Sequence, residues 1–104
     1  MNLNLNGLTA LVTASTGGIG LEIARSLAIE GARVIVNGRT QSSVEKALTE
    51  LRRDLSNADL VGLAADNGTV GGCATTLSTW PQVDILVNNL GIYEAIGFFD
   101  ETDG

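Results

Sequence analysis

A glycine-rich segment near the start of the chain carries the residues best suited to bind an anion. Residues 11–28 read LVTASTGGIGLEIARSLA, which is an apolar run, a Ser/Thr/Gly turn and a helical pattern in succession. Gly18 and Gly20 would let a pyrophosphate approach the backbone. Ser15 and Thr16 add hydroxyl groups that can donate hydrogen bonds. Because N–H groups at a helix N-terminus attract anions, the segment predicts a phosphate site; a tight turn that holds no ligand is the alternative.

The spacing and the composition exclude several other chemistries. No Gly-Lys-Ser/Thr follows the glycines, so the segment is not a P-loop, and Ile23 stands where G-x-G-x-x-G has its third glycine. The chain has no His, which rules out Ser-His-Asp catalysis and His-ligated metal sites within these residues, and we expect no metal. At a net charge of −6, six scattered cations form no basic face, so we expect neither nucleic acid nor a membrane as partner. The single cysteine, Cys73, favours a reducing compartment and a cytoplasmic protein, and we interpret it as a packed thiol rather than a nucleophile.

Short apolar runs alternate with helical patterns along the chain. The runs are nearly continuous, which is typical of parallel strands that are covered on both faces. They occupy residues 8–14, 33–37, 60–65 and 84–89. Helical patterns lie between them; the third, over residues 68–80, is weak, but two parallel neighbours need a crossover between them. The order predicts an α/β fold, a Rossmann-type doubly wound parallel sheet with strand order 3-2-1-4.

The first two helical patterns carry recognisable faces and ends. Ile19 and Leu27 belong to an apolar stripe with a spacing of four residues, which predicts that both face the core. Gly31 stands where a glycine commonly ends a helix. Ser42 and Glu45 have the spacing of a capping box, which predicts that Ser42 caps the second helix.

Three segments together resemble the short-chain dehydrogenase/reductase family. Residues 13–20 read TASTGGIG and resemble the family segment T-G-x-x-x-G-x-G, with Ala14 in place of the first glycine. Residues 88–91 read NNLG and resemble the family's N-N-A-G, with Leu in place of Ala. Asp66 stands after the third strand, where a family Asp meets the adenine ring. The resemblance covers residues 7–103 and implies a dinucleotide-binding fold.

The residues after the second strand bear on the choice of cofactor. A fold that selects NAD places an acid there for the ribose 2′-hydroxyl, whereas an Arg accommodates the 2′-phosphate of NADP. Residues 37–40 read NGRT, with no acid and one guanidinium, which favours NADP(H) over NAD(H). A solvated surface Arg is the alternative interpretation of Arg39. By the resemblance, we expect the following residues to bind the cofactor: Thr13, Ser15, Thr16, Gly18, Ile19, Gly20, Asn37, Arg39, Thr40, Ala65, Asp66, Asn67, Asn88, Asn89 and Gly91.

The catalytic residues that the family uses have no counterpart in the sequence. Family members transfer a hydride between the nicotinamide and a carbonyl or alcohol, with a Tyr that is activated by a Lys four residues later. Here the single Tyr, Tyr93, is followed four places on by Gly97, and the single Lys is Lys46, so we assign no catalytic residue. We therefore expect residues 1–104 to be the N-terminal, cofactor-binding part of one Rossmann-fold domain, incomplete at its C-terminal side, with the catalytic half outside them.

Two functions remain open from the sequence. We expect an NADP(H)-dependent oxidoreductase of the short-chain type that acts on a small-molecule carbonyl or alcohol. By the resemblance, the complete protein forms a homo-oligomer, either a dimer or a tetramer. The alternative is a nucleotide-binding module without catalysis. A methyltransferase-like fold is disfavoured, because its nucleoside site would need an acid after the second strand.

Overall fold

Strands and helices alternate along the chain in the order that the sequence pattern predicts. The structure is a computed structural model that describes residues 4–89. Its elements are β1 (Thr9–Val12), α1 (Gly18–Ile29), β2 (Arg33–Gly38), α2 (Gln41–Asp54), β3 (Leu60–Ala64), α3 (Val70–Thr79) and β4 (Ile85–Val87). The expectations placed on Gly91 and Tyr93 lie outside the described residues.

The four strands form one parallel sheet with the order β3-β2-β1-β4, so the predicted fold class and strand order are confirmed. Val12 lies opposite Val36 of β2 on one side and opposite Val87 of β4 on the other. Because crossovers between parallel strands are right-handed, the reversal of direction at β1 puts α1 and α2 on one face and α3 on the other. Open α/β sheets bind ligands beyond the carboxyl ends of the strands at such a reversal. The fold therefore directs attention to the ends of β1 and its neighbours.

Apolar side chains cover both faces of the sheet. Val34 and Val36 of β2 pack in one cluster with Leu51 of α2, and all three are completely buried. On the opposite face, Leu11 and Ile35 are buried in a second cluster against which Trp80 packs. Successive residues of β1 and β2 are thus buried on alternate sides, which is why their apolar runs are continuous.

The buried face of α1 differs from the predicted one. Leu21, Ala24 and Ala28 are buried in the core cluster. Ile19 is 73% exposed, so the prediction that it faces the core is wrong. The cause is Gly20, where an added Cβ would overlap the carbonyl oxygen of the preceding turn. Since this side of the helix must face the turn, the neighbouring Ile19 is rotated away from it by about 100°.

The end of α1 is confirmed as a glycine cap. Gly31 follows the C-cap residue Glu30 and has a φ of +103°, a value that glycine adopts without strain. Its N–H donates to the Ala28 carbonyl at 3.0 Å. The next N–H, that of Ala32, donates to the Leu27 carbonyl at 3.2 Å. This pair of hydrogen bonds is the Schellman arrangement, and it turns the chain directly into β2.

The start of α2 is set by Thr40 rather than by Ser42. The Thr40 backbone is extended, and its Oγ1 accepts a hydrogen bond from the Ser43 N–H at 3.2 Å. Ser42 lies inside the helix, so the predicted capping box of Ser42 and Glu45 is wrong. Two hydroxyl residues close together both suit a cap, and the position of the chain as it leaves β2 at Gly38 selects the earlier one.

The third helix is confirmed as a helix, with narrower bounds than predicted. It begins after Thr69, whose Oγ1 accepts a hydrogen bond from the Gly72 N–H at 3.0 Å. Among its side chains only Thr76 is buried. Within residues 4–89, no helix is long and apolar enough to cross a membrane.

The assignment of the α2 cap makes a prediction. Thr40→Ala removes the acceptor for the Ser43 N–H and lowers the free energy of unfolding by about 1 kcal/mol. The matched variant Ser42→Ala changes it by less than about 0.5 kcal/mol, because Ser42 is an exposed residue inside the helix. Urea unfolding followed by circular dichroism measures both values. A larger loss at Ser42 than at Thr40 would contradict the assignment.

Candidate functional site

The carboxyl ends of the first three strands converge on a small cavity of about 270 Å³. The residues that line it come from the turn after β1, from the end of β2 and from the segment after β3. They are Ala14, Thr16, Gly17, Asn37, Arg39, Ala65, Asp66 and Asn67. Six of these eight are among the cofactor-binding residues expected from the sequence, namely Thr16, Asn37, Arg39, Ala65, Asp66 and Asn67. The structure thus brings three separate sequence segments together at one edge of the sheet.

The turn after β1 depends on a left-handed residue. Ala14 has a φ of +51°, a conformation that costs an L-residue with a Cβ about 1–2 kcal/mol. Two side chains hold its backbone: the Ala14 N–H donates to Asn37 Oδ1 at 3.1 Å, and the Ala14 carbonyl accepts from Asn89 Nδ2 at 3.2 Å. The family glycine that is missing from the sequence is therefore replaced by an alanine in a glycine-like conformation.

Asn37 joins the ends of β1, β2 and β3. Its side chain is almost completely buried, at 2% exposure, and its Nδ2 donates to the carbonyls of Leu63 and Ala65, each at 3.0 Å. Its own backbone carbonyl accepts from the Ser15 N–H at 2.8 Å. With Oδ1 on the Ala14 N–H, every polar atom of the carboxamide has a protein partner. Asn37 therefore forms part of the floor of the cavity.

Ser15 has an internal role in the same floor. It is completely buried, and its Oγ donates to the Val12 carbonyl at 2.8 Å. The same oxygen accepts from the Asn37 N–H at 2.9 Å. The hydroxyl hydrogen is thus used in a hydrogen bond to the last residue of β1. In this structure Ser15 therefore stabilises the shape of the turn. Thr16, by contrast, is half-buried and lines the cavity.

Thr13 ties β1 to the end of β4. Its Oγ1 donates to Asn88 Oδ1 at 3.1 Å and accepts from the Asn89 N–H at 2.9 Å. The Thr13 N–H donates to the Val87 carbonyl at 3.0 Å, which continues the β1–β4 ladder by one residue. Thr13, Asn88 and Asn89 therefore hold the ends of β1 and β4 in register. Gly91, the last of the expected cofactor-binding residues, lies outside the part of the chain that the structure describes.

The N-terminus of α1 offers backbone donors without a side-chain cap. Gly17 occupies the cap position and makes no side-chain hydrogen bond, and the first turn has no acidic residue. Gly18, with a φ of +58°, has open space where a Cβ would lie. The first backbone hydrogen bond into the helix is from the Leu21 N–H to the Gly17 carbonyl at 3.3 Å. The preceding N–H groups and the positive end of the helix dipole fit an anion such as a pyrophosphate.

Gly20 lets the start of α1 pack against the turn after β1. It is buried, and an added Cβ would overlap the Ala14 carbonyl oxygen and Asn89 Nδ2. A glycine is therefore required here for contact between the helix and the turn. Of the two glycines that the sequence marked for phosphate, Gly18 is the one that faces open space.

The end of β2 presents a cation at the mouth of the cavity. Arg39 is exposed, and within residues 4–89 it forms no ion pair. The preceding residue, Gly38, is buried, and a Cβ there would crowd Thr16 Cγ2. The hydroxyl of Thr40, also expected to bind the cofactor, caps α2. The charged group at the carboxyl end of β2 is thus the guanidinium of Arg39.

The segment after β3 forms the opposite wall. Asp66 is half-buried, and its Oδ1 accepts from the Gly68 N–H at 3.0 Å. Asn67 is 3% exposed, and its Oδ1 accepts from the Thr76 hydroxyl at 2.5 Å. In the part of the chain described, the Asn67 Nδ2 is buried without a hydrogen-bond partner. A buried donor beside a polar cavity fits a ligand with ring nitrogen or oxygen acceptors, such as a nucleotide base.

Cys73 lies behind this wall and is not placed for chemistry. Its Sγ donates to the Asn67 carbonyl at 3.2 Å. Burial and the nearby carboxylate of Asp66 both raise the pKa of the Cys73 thiol. A raised pKa disfavours the thiolate, which is the reactive form. No group of three or more potential metal-ligating side chains occurs among residues 4–89.

Sequence reasoning missed the importance of two residues that shape the site. In the sequence, Ala14 is only a small departure from glycine, yet its backbone is the point at which two strand ends are joined to the turn. Gly72 only weakens a helical pattern, yet an added Cβ would overlap the backbone of Asp66, so this glycine lets α3 approach the wall. In both cases the sequence signal was a small residue at a position where the surrounding pattern predicts a different one.

Comparisons with known proteins agree with this geometry. The family model described as short chain dehydrogenase matches residues 8–103. A Bacillus subtilis (strain 168) protein named uncharacterized oxidoreductase YvaG is 52% identical over 103 residues, which is 99% of this chain and 39% of that protein. The chain therefore spans well under half the length of this relative.

Solved structures show the same likeness. A structure described as a short chain dehydrogenase/reductase family protein has a TM-score of 0.75 and 43% identity, over 86% of this chain and 36% of that one. The L-sorbose reductase of Gluconobacter frateurii, solved with NADPH and L-sorbose, has a TM-score of 0.75 and 32% identity, over 88% of this chain and 36% of that one. The family match and the strand order agree, and the chain belongs to the short-chain dehydrogenase family.

Proposed function

We propose that the protein is an NADP(H)-dependent oxidoreductase and that residues 1–104 supply the cofactor-binding part of its single Rossmann-fold domain. The observation that carries the choice of NADP(H) is Arg39, which lines the cavity and forms no ion pair within residues 4–89. NADP differs from NAD by the 2′-phosphate on the adenosine ribose, and a guanidinium binds phosphate through charge-assisted hydrogen bonds.

Arg39 differs in this respect from the two arginines that are tied to acids. Arg25 forms an ion pair with Asp54 at 2.6 Å, and Arg33 forms one with Asp59 at 3.1 Å. Arg39 has no such partner within the described part of the chain, so a ligand phosphate does not have to displace a carboxylate. Gly38, just before it, carries no side chain, so no acid stands there to bind the ribose 2′-hydroxyl of NAD.

The remaining groups of the site suit the other parts of the dinucleotide. The N–H groups at the start of α1 would bind the pyrophosphate, and Thr16 would donate a hydroxyl hydrogen bond beside them. Asp66 and Asn67 would hold the adenine. The buried side chains of Thr13 and Ser15 would keep the turn in place rather than contact the cofactor. When bound, NADPH supplies the hydride that reduces the substrate.

Relatives support a carbonyl or alcohol as the substrate. The Gluconobacter frateurii protein, which is 32% identical to this chain, is an L-sorbose reductase that was solved with NADPH and L-sorbose bound. The proposal extends only to the class of reaction, which is hydride transfer between NADP(H) and a small-molecule carbonyl or alcohol. The groups that would protonate the substrate are proposed to lie outside residues 1–104, because the single Tyr, Tyr93, has no Lys four residues on. The single cysteine supports a cytoplasmic setting, and the family likeness a homo-oligomer.

The role of Arg39 makes a direct prediction. The protein binds NADPH more tightly than NADH, and Arg39→Ala reduces this preference by about tenfold or more, because a charge-assisted hydrogen bond to phosphate is lost. The preference also falls at high salt, since the contact is exposed. Titration calorimetry with each cofactor measures both affinities.

Arg53→Ala is the matched control for this experiment. Arg53 is an exposed arginine near the end of α2, away from the cavity, so its loss removes the same charge without removing the proposed contact. The preference for NADPH should stay as in the wild type. Equal affinities of the unaltered protein for NADPH and NADH would refute the NADP(H) assignment.

A second candidate function is a nucleotide-binding module without catalysis, because the described groups of the site account for nucleotide binding alone. Under either function we predict that the purified 104-residue chain oxidises no NADPH with aldehydes or ketones at any pH, and that Tyr93→Phe changes nothing. Turnover followed at the NADPH absorbance tests this. Activity that disappears in Tyr93→Phe would show that the chain carries its own acid.

The two functions are separated by the protein expressed from its complete natural reading frame. An oxidoreductase turns over NADPH with some carbonyl substrate, whereas a module binds the nucleotide and leaves it unchanged. A panel of simple ketones, aldehydes and sugars with NADPH, followed by absorbance and by mass spectrometry of the products, distinguishes them.

A further inference from the structure

We propose that Asn37 is a positioning residue that holds Ala14 in its left-handed conformation and so keeps the phosphate-binding turn in shape. Its effect on nucleotide binding rests on the proposed function, whereas its effect on the turn does not. The side chain of Asn37 is buried and all its polar atoms have protein partners, so it acts on a ligand through the backbone groups that it holds, that of Ala14 foremost. The chain therefore tolerates an alanine at a turn position where glycine would be free of strain.

The geometry explains why this side chain has to be an asparagine. The Ala14 N–H needs a hydrogen-bond acceptor, and the carbonyls of Leu63 and Ala65 each need a donor. A carboxamide offers both in one planar group. An Asp would bring a negative charge against two carbonyl oxygens, and a Ser has a single hydroxyl hydrogen for two acceptors. Only an amide of this length satisfies all three backbone groups at once.

Ala14 also packs against α1, the helix whose N-terminus would bind the phosphate. The Ala14 carbonyl oxygen lies where a Cβ on Gly20 would be, so the first turn of α1 rests directly on Ala14. Movement of Ala14 must therefore move the N-terminus of α1. Asn89 holds the Ala14 carbonyl from the β4 side at 3.2 Å, and Asn37 holds its N–H from the β2 side at 3.1 Å. Without Asn37, one of the two constraints on the strained residue is lost, and the turn relaxes.

A double-mutant cycle between positions 37 and 14 tests the proposal in the full natural protein. Asn37→Ala weakens NADPH binding by about tenfold or more, because the turn is no longer held. Ala14→Gly is measured alone to complete the cycle. In the Asn37→Ala background, however, Ala14→Gly restores part of the lost affinity, since glycine adopts the left-handed conformation without a constraint. The dissociation constant of the double variant is then at least about threefold lower than the value expected without coupling, which is the wild-type constant multiplied by the fold changes of the two single variants.

The control pair replaces Ala14→Gly with Ala58→Gly. Ala58 is a half-buried loop residue whose φ is not positive, and it lies outside the cavity. Glycine there should not rescue Asn37→Ala, so the two effects multiply. Rescue by Ala58→Gly equal to that by Ala14→Gly, or multiplicative effects at positions 37 and 14, would overturn the proposal.

The equilibrium constant for unfolding without nucleotide provides a second readout. The same cycle should show coupling between positions 37 and 14 of about threefold or more in this constant. If wild-type protein binds no NADPH, the proposed function fails, while this coupling still decides the role of Asn37. If Asn37→Ala does not fold, amide hydrogen exchange in the wild type decides instead. The Ala14 N–H should then be as protected as those of β1, and rapid exchange there would contradict the proposal.

Discussion

The site depends on one backbone constraint, the left-handed turn at Ala14. The chain leaves β1 in the plane of the sheet and must rise within a few residues to start α1 above it. An alanine with a φ of +51° makes that change of direction, and it is stabilised by hydrogen bonds to Asn37 Oδ1 and from Asn89 Nδ2. Strained backbone of this kind persists only where the surroundings determine it from several sides. The start of α1, and with it the proposed phosphate site, follows from this turn.

Buried and exposed groups of the site have different tasks. Thr13, Ser15 and Asn37 are buried, and their hydrogen bonds join the ends of neighbouring strands into one unit. In a low-dielectric setting such a network is rigid when every member is satisfied. The N–H groups after Gly17 and the guanidinium of Arg39 face outward and are left to meet a ligand. Rigid support beneath exposed donors is what a preorganised phosphate site requires.

The sequence was sufficient to predict the fold, because the apolar runs of the strands are continuous and the glycine turn follows the first of them. It was less informative where two patterns competed. Thr40 and Ser42 both suit a helix cap, and only the exit of the chain from β2 decides between them. Ile19 and Leu21 both suit the buried face of α1, and the contact at Gly20 decides. The internal role of Ser15 was also hidden, because a hydroxyl beside glycines looks the same in sequence whether it faces a ligand or a strand end.

The most direct test of the central claim is a two-dimensional ¹⁵N–¹H spectrum of the protein titrated with NADPH. The claim is that the 2′-phosphorylated dinucleotide binds at the β1–α1 turn and the end of β2. We predict the largest amide shifts at Gly18 and its neighbours, at Arg39 and at Asp66, with NADH leaving Arg39 much less affected. Shifts confined to the part of α1 around Ile23 and Leu27, or no shifts at all, would contradict it.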